Sequence, residues 1–184
     1  MHDQIRQVIS FQCKYGFEVG VDCSKTYPKE SDKYLELAYS AVHDAGEMLE
    51  EAMSGSLCGD NRLLRAHLMC EELAEIMRAL IEQDREKLLD GITDLLYVTV
   101  GTGTNLPLAE AFEEIQRSNM TKELRQPTDV RLRNKGSAYE PPDLKKVLKE
   151  FDNNCQHNWG TDGQHSNEFC KKCYISKPEN IEDI

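Results

Sequence analysis

Two consecutive segments of the chain carry acidic residues at helical spacing inside otherwise apolar patterns, and this feature constrains the fold most. Glu71, Glu72 and Glu75 lie in the first segment, and Asp90 and Asp94 lie in the second. Side chains three or four residues apart project from one side of a helix. If the two helices pack antiparallel, the five acids face one another across the helix–helix seam.

This acidic cluster (Glu71, Glu72, Glu75, Asp90 and Asp94) predicts a metal site. Like charges in a partly desolvated place repel one another strongly, and bound divalent cations relieve the repulsion. Ligands that are all oxygen atoms favour Mg²⁺ or Mn²⁺ over zinc or copper. The pattern indicates a metal-dependent enzyme that acts on phosphates.

The competing interpretation is a solvated charged face, because 33 of the 184 residues are acidic and charge runs are usually exposed. The surroundings of the acids argue against it. Glu71 and Glu72 interrupt an apolar stripe, and residues 88–98 are apolar on almost every side, which predicts a buried helix and a partner for each Asp. The stripe consists of Leu64, Leu68, Leu73, Ile76 and Leu80.

Residues 88–100 predict two further features. Gly91 costs about 1 kcal/mol relative to alanine inside a helix, so we expect it to allow the close approach of another backbone or a ligand. The helix is apolar on too many faces for a single four-helix unit to cover, which indicates a homodimer or a tetramer.

The rest of the sequence predicts an all-α helical bundle, since no segment alternates with the period of a strand. Ser31 or Asp32 and Asp84 are the expected N-caps of two helices, and Pro107 is expected to open a third. The predicted helices cover residues 2–15, 32–53, 62–82, 84–102, a segment opened by Pro107, and a short stretch from Pro142 or Asp143 to Phe151.

Charge and composition limit the partners. The formal net charge of −11 argues against direct binding of nucleic acid, because a phosphate backbone needs a basic surface. The sequence has neither an apolar run of about eighteen residues nor a signal-peptide pattern, so we expect a cytoplasmic protein without a membrane segment. In a reducing cytosol Cys13, Cys23, Cys58 and Cys70 are expected to be free thiols.

The C-terminal segment predicts a zinc site. Cys155-x-His157 and Cys170-x-x-Cys173 are separated by twelve residues, which suits two ligand pairs of one tetrahedral ion. So short a segment cannot bury enough surface to fold alone, and the metal would supply its stability. We therefore divide the chain into a helical domain over residues 1–151 and a zinc-knuckle-like tail over residues 152–184.

A disulfide pair or an unstructured tail are the alternatives for this segment. The cytosolic setting opposes a disulfide, and Trp159 and Phe169 beside the ligands oppose an unstructured tail. His165 is a possible substitute ligand. Four protein ligands leave no open position, so the predicted zinc is structural rather than catalytic.

These residues resemble a known family. Glu71-Glu72-x-x-Glu75 with Asp94 is similar to the signature of the MazG-like all-α nucleoside triphosphate pyrophosphohydrolases, and closest to the phosphoribosyl-ATP pyrophosphohydrolase-like branch. Three more stretches match that branch and extend the resemblance over most of residues 4–150: 5–16, 90–102, and 117–122 with 135–136 and 139–144 downstream.

The resemblance implies an all-α dimer or dimer of dimers that holds magnesium between helices and splits a nucleoside triphosphate into monophosphate and pyrophosphate. Carried over to matching positions, Glu72, Glu75 and Asp94 would be metal ligands with catalytic roles, and Glu71 a ligand or the base. Gly91 departs from the common pattern, which has Glu there, and Asp90 is the usual replacement in this branch.

The stretch Arg117-Ser118-Asn119-Met120-Thr121-Lys122 is the more specific part of the resemblance. Arg117, Lys122 and Lys135 are predicted to supply cations for the triphosphate, and Asn119 to bind metal or phosphate. The alternative for Arg117 is ordinary capping of a helix C-terminus by a basic side chain.

Three other interpretations come from different classes of protein. A di-iron bundle needs Glu-x-x-His pairs, and neither Glu72 nor Asp94 has a His three residues on. His43-Asp44 resembles the ligand dipeptide of another phosphohydrolase class, but it lies within a predicted helix and is interpreted as surface. The non-enzymatic alternative is a catalytically silent acidic bundle whose zinc tail serves as an adaptor.

Overall fold

A computed structural model describes residues 1–124, 135–154, 159–160 and 169–170. Apart from one short antiparallel hairpin, the described regular elements are helices, which agrees with the predicted all-α class. They are α1 (His2–Tyr15), α2 (Lys29–Met53), α3 (Asn61–Glu82), α4 (Arg85–Thr102), α5 (Leu108–Asn119), α6 (Leu144–Asn154), β1 (Trp159–Gly160) and β2 (Phe169–Cys170).

Side-chain caps set the starts of α3 and α4. The Asp60 carboxylate accepts a hydrogen bond from the backbone N–H of Arg62, and the Asp84 carboxylate accepts from those of Glu86 and Lys87. Such bonds satisfy backbone donors that have no partner inside the helix. The predicted cap at Asp84 is confirmed.

The start of α2 differs from the prediction. Neither Ser31 nor Asp32 caps the helix, which begins at Lys29 after Pro28 with no side-chain cap. Pro28 has φ −62° and ψ 130°, so its fixed ring fits the turn into the helix. Its carbonyl already accepts from the Ser31 N–H, which draws the first turn of α2 upstream of the predicted start.

The chain forms two compact units, Val21–Gly103 and Met1–Gly20 with Thr104–Ile184. In the first unit, α3 packs against both α2 and α4. Glycines mark both contacts. A Cβ on Gly46 of α2 would lie 3.5 Å from the Cys70 Cβ, and a Cβ on Gly91 of α4 would lie 3.3 Å from the Ile76 backbone nitrogen. The close approach predicted at Gly91 is therefore confirmed.

A two-residue turn reverses the chain between α3 and α4. Gln83 ends α3 in the left-handed region at φ 54°, and its side-chain amide donates to the Lys25 carbonyl at 3.2 Å. Asp84 then caps α4. The two helices consequently run antiparallel, with Gly91 beside Glu75 and Ile76.

The surface of α4 corrects one expectation. Only Leu88, Gly91 and Val98 of this helix are buried, and Asp90 and Asp94 are exposed. Its predicted burial on almost every side is wrong for the single chain, because the contact with α3 covers one stripe. Large apolar side chains remain exposed on the other faces: Leu89 (69%), Ile92 (50%), Leu96 (46%), Tyr97 (81%) and Val100 (46%).

In the second unit, α5 packs against α1 and α6. Tyr15 is buried at the end of α1, and its hydroxyl lies 2.7 Å from the Lys122 carbonyl oxygen. The Lys14 ammonium donates to the Met120 carbonyl at 2.7 Å. The last turn of α1 therefore satisfies carbonyls at and beyond the end of α5.

The predicted zinc ligands Cys155, His157 and Cys173, and the possible substitute His165, lie outside the described residues. Cys170 is buried in β2, where its Cα pairs with that of Trp159. The zinc site and the boundary at residue 152 stay predictions. Within the described part of the chain, no helix combines the length and apolarity needed to cross a membrane.

Candidate active site

Helices α3 and α4 bring the five residues of the acidic cluster together. Glu71 and Glu72 lie one turn before Glu75 in α3, and Asp90 lies one turn before Asp94 in α4. The missing side chain at Gly91 lets the two backbones approach, since a Cβ there would also meet the Ile76 Cγ1 at 3.0 Å. The antiparallel seam predicted from the sequence is present.

Glu72 lies at the electrostatic centre of the cluster. Its pKa is raised above the ordinary glutamate value, first by burial and then by the charges of Glu75, Asp94, Glu71 and Asp90. Four like charges raise the pKa of a carboxyl group only when all four lie close to it. The spacing in sequence therefore corresponds to proximity in space.

Exposure differs within the cluster. Glu72 is half-buried, whereas Glu71, Glu75, Asp90 and Asp94 are exposed. Exposed carboxylates on flexible stems can rotate toward a shared cation, and an oxygen-only set of this kind suits Mg²⁺ or Mn²⁺. The donor chemistry and the mutual repulsion at Glu72 both fit a divalent cation.

A cavity of about 450 Å³ opens beside the cluster, between α2, α3 and α4. Glu71, Glu75 and Asp90 line it from α3 and α4, and the wall from α2 adds His43, Gly46, Glu47 and Glu50. These α2 residues recur every three or four positions, which places them on one face of the helix. The sequence interpretation did not predict this wall. The recurrence of its residues every three or four positions is the pattern that could have indicated it.

The imidazole of His67 connects the α2 wall to the acidic cluster. Its Nδ1 lies 3.1 Å from the Gly46 carbonyl oxygen, and its Nε2 lies 3.3 Å from Glu71 Oε2. The side chain is 13% exposed, so its rotamer is held by packing on both sides. His67 thereby orients the Glu71 carboxylate at the cavity, in the way that outer residues orient ligating groups.

His43 was interpreted as surface, and it is exposed, but it also lines the cavity. Ligand atoms of His43, Asp44 and Glu47 all lie within 4.8 Å of one another, so these three could hold a metal ion. Within the described ranges, His43, Asp44 and Glu47 are the group whose ligand atoms lie that close together. Among the described residues, no three carboxylates of the acidic cluster have ligand atoms that close to one another.

The cavity also has a cationic end near the turn between α3 and α4. Arg78 lies one helical turn beyond Glu75, and Lys87 lies one turn before Asp90. The guanidinium carbon of Arg78 lies 4.0 Å from the ring centroid of Tyr39, a cation–π contact. The cavity therefore carries carboxylates and cations within two helical turns.

Arg117 is held in an ionic network of the second unit. Its guanidinium forms a two-bond fork with Glu114 at 2.8 Å for each bond, and a further bond to Glu140. The same contacts lower the pKa of Glu114 to about 2, with the Arg117 bond as the main cause. These bonds go to the Glu114 and Glu140 side chains and to the Pro141 carbonyl, not to the carbonyls at the end of α5. The predicted contact of Arg117 with phosphate and the capping alternative both stay predictions.

The other residues predicted to bind substrate lie in the same unit. The Lys122 ammonium donates to the Asn119 side-chain oxygen at 2.7 Å, and the Lys135 ammonium lies 4.9 Å from the Tyr139 ring centroid. The pKa of the Tyr139 hydroxyl is lowered by a hydrogen bond with Ser118 and by the charges of Lys135 and Lys122. The two lysines therefore share one neighbourhood.

Comparison with known proteins matches residues 42–119 to the family model described as phosphoribosyl-ATP pyrophosphohydrolase. The match begins within α2, spans α3, α4 and the acidic cluster, and ends with α5. The matched segment, which is 78 of the 184 residues, is similar to this family. The family is a branch of the MazG-like all-α NTP pyrophosphohydrolases, as the sequence resemblance predicted.

Searches of curated proteins and of solved structures each found no significant match. The family model therefore carries the assignment. A pyrophosphohydrolase domain points to hydrolysis of a phosphoric anhydride in a nucleotide, and families of this kind typically depend on a metal. The acidic cluster lies wholly inside the matched segment.

Proposed function

We propose that this protein is a Mg²⁺-dependent nucleoside triphosphate pyrophosphohydrolase that acts in nucleotide-pool control. It converts a ribonucleoside or deoxyribonucleoside triphosphate and water into the monophosphate and pyrophosphate. The observation that carries the proposal is the convergence of four other carboxylates on Glu72, across the α3–α4 seam of the segment that matches the pyrophosphohydrolase family.

Glu72, Glu75, Asp90 and Asp94 would hold the metal, and Glu71 would be either a further ligand or the base. When bound there, Mg²⁺ would neutralise charge on the phosphate oxygens and acidify a nearby water. The residues themselves provide the acceptor for the proton of the attacking water, because a carboxylate that does not ligate the metal can act as a general base. Glu71 suits this task, since its carboxylate lines the cavity and is oriented by His67.

The bond broken in this reaction joins the α-phosphorus to the oxygen that bridges it to the β-phosphorus. A new bond forms between the water oxygen and the α-phosphorus, and pyrophosphate leaves with the bridging oxygen. Positioning and charge stabilisation dominate such phosphoryl chemistry. Both are supplied by side chains fixed on two packed helices.

Phosphoribosyl-ATP carries the same triphosphate, so it competes with simple triphosphates as the substrate. The experiment is a screen of the common NTPs and dNTPs together with phosphoribosyl-ATP, measuring pyrophosphate with and without Mg²⁺. The proposal expects Mg²⁺-dependent release from at least one simple triphosphate. Release from phosphoribosyl-ATP alone would reassign the substrate, and release from none would favour the silent adaptor.

A further inference from the structure

The cationic end of the cavity has the opposite charge to the acidic residues that line the rest of it. Glu71, Glu75 and Asp90 fill one part of the cavity, and Arg78 and Lys87 lie one turn further toward the α3–α4 turn. Three and four residues on a helix correspond to about 4.5–6 Å along its axis. That step is comparable to the distance from the α-phosphorus to the γ-phosphorus of a triphosphate chain.

Arg78 is preorganised for an anion. Its guanidinium carbon lies 4.0 Å from the Tyr39 ring centroid, and the guanidinium also hydrogen-bonds the Tyr39 side chain. These contacts restrict its rotamers, and a guanidinium with five N–H donors keeps others for an anion. Its contact with Glu36 is a single N–O distance of 3.4 Å between side chains that are 39% and 48% exposed. An exposed pair of this geometry contributes little, so an incoming phosphate can replace Glu36 at small cost.

Lys87 approaches the cavity from the other helix. Its ammonium lies 2.6 Å from Glu82 Oε2, and the two side chains are 60% and 39% exposed. The ammonium has three donors, so the Glu82 bond leaves two for another anion. The Asp84 cap fixes the backbone of this first turn of α4, because the Asp84 carboxylate accepts from the Lys87 N–H. The position of Lys87 is thus set by the fold.

We propose that Arg78 and Lys87 bind the β- and γ-phosphates of the substrate, and hence the pyrophosphate that leaves. This inference rests on the proposed function and adds the residues that recognise the leaving group. The carboxylates with their cation would take the phosphate that is attacked, and the Arg78–Lys87 pair would take the rest of the chain. Charge-assisted bonds to phosphate from an arginine fork and an ammonium are the strong kind.

The test measures binding of magnesium pyrophosphate by calorimetry to the full-length wild type, Arg78→Gln, Lys87→Gln and the double variant. Arg85→Gln is the matched control, since Arg85 is an exposed cation of α4 outside the cavity lining. Each single variant should raise the Kd for magnesium pyrophosphate by about ten- to a hundredfold, as expected for a charge-assisted bond. Arg85→Gln should leave it unchanged.

Two further readouts keep the result specific. Binding of a nucleoside monophosphate should be the same in wild type, Arg78→Gln and Lys87→Gln, because these cations do not hold the α-phosphate. Arg78→Lys keeps the charge but loses the fork, so its affinity should fall between those of Arg78→Gln and the wild type. Circular dichroism confirms that each variant is folded.

Failure of this inference and of the proposed function are distinguishable. If the wild type binds magnesium pyrophosphate through Arg78 and Lys87 but hydrolyses no triphosphate, the inference holds and the function fails. If the wild type hydrolyses a triphosphate and the double variant binds pyrophosphate as tightly as wild type, the inference is overturned. Equal losses in Arg85→Gln would overturn it as well, because they would reflect net charge alone.

Discussion

Repulsion within the acidic cluster acts most clearly on Glu72, whose pKa is raised first by burial and then by this repulsion. Its raised pKa means that the folded protein holds the Glu72 proton more tightly than the unfolded chain does. The stability this provides is complete below the ordinary value of 4.5 and is lost as the pH rises through the folded pKa. In the absence of metal, the ionised cluster therefore destabilises the protein at neutral pH.

We predict that Glu72→Gln raises the unfolding temperature above that of the wild type at pH 7.5 in chelator. The gain should shrink as the pH falls below the ordinary glutamate value of 4.5, where the wild-type carboxyl becomes protonated in both the folded and the unfolded state. Glu51→Gln, on an exposed residue of α2 outside the cavity, is the control and should show no such dependence. If Glu72→Gln is less stable than wild type at pH 7.5, this interpretation of the cluster is contradicted.

At the residue scale, the sequence was informative about the acids and silent about their neighbours. Spacing alone placed Glu72, Glu75 and Asp94 on facing sides of two helices, because helical periodicity is a local property. The contributions of His67 and Arg78 depend on where α2 lies, and that is a tertiary property. Their side chains carry no local pattern that separates them from an ordinary charged surface.

Among the elements, the contact between α3 and α4 depends on one position. We predict that Gly91→Ala weakens the fold and the activity together, although alanine is the better helix former by about 1 kcal/mol. The added Cβ would lie 3.0 Å from Ile76 Cγ1 and 3.3 Å from its backbone nitrogen, so α3 and α4 must separate. Overpacking of this kind costs about 1–3 kcal/mol.

The control for this prediction is Gly101→Ala on the same helix. There the added Cβ meets only the end of the Arg65 side chain, at 3.4 Å, and that side chain can move. We expect Gly101→Ala to be neutral or stabilising by up to about 1 kcal/mol, and to leave turnover intact. Chemical denaturation and initial rates measure both effects. A Gly91→Ala protein as stable and active as Gly101→Ala would show that the close approach is dispensable.

Element boundaries followed local chemistry where a side-chain cap existed. Asp84 correctly predicted the start of α4, and the bounds found for α4 agree with those predicted. The first turn of α2 has no side-chain cap, so a start predicted from a capping Ser31 or Asp32 lies too late in the chain. The sequence predicted too much burial for α4. An apolar composition indicates that a helix face is covered, but it does not tell whether the same chain or a second copy covers it.

The next prediction concerns the zinc site of the C-terminal tail. We predict one zinc ion per chain, held by Cys155, His157, Cys170 and Cys173, with no part in catalysis. Cys170→Ser and Cys173→Ser in the full-length chain should each remove zinc, as measured by elemental analysis. Since α6 ends at Asn154, a truncation after that residue preserves the helix. The truncated protein should keep Mg²⁺-dependent hydrolysis, and its loss despite folding would assign the tail to the active site.

For the whole molecule, the exposed apolar faces of α4 indicate self-association. We predict a homodimer or tetramer, because Ile92 and Leu96 lie one turn apart and stay 50% and 46% exposed in the single chain. Ile92→Glu combined with Leu96→Glu should shift the sedimenting species toward the monomer of 21.0 kDa. Val19→Glu, on an exposed valine outside α4, should leave the mass unchanged. A wild type that sediments as a monomer at micromolar concentration would refute the assembly.

The central claim is that the acidic cluster splits a nucleoside triphosphate between its α- and β-phosphates. Chromatography of the products formed with Mg²⁺ tests it most directly, with Glu75→Gln and Asp94→Asn beside the wild type. We predict monophosphate and pyrophosphate from the wild type, and at least about a hundredfold slower release from either folded variant, because charge stabilisation by a held metal contributes several kcal/mol. Diphosphate with orthophosphate, or near-normal turnover in these variants, would contradict the account.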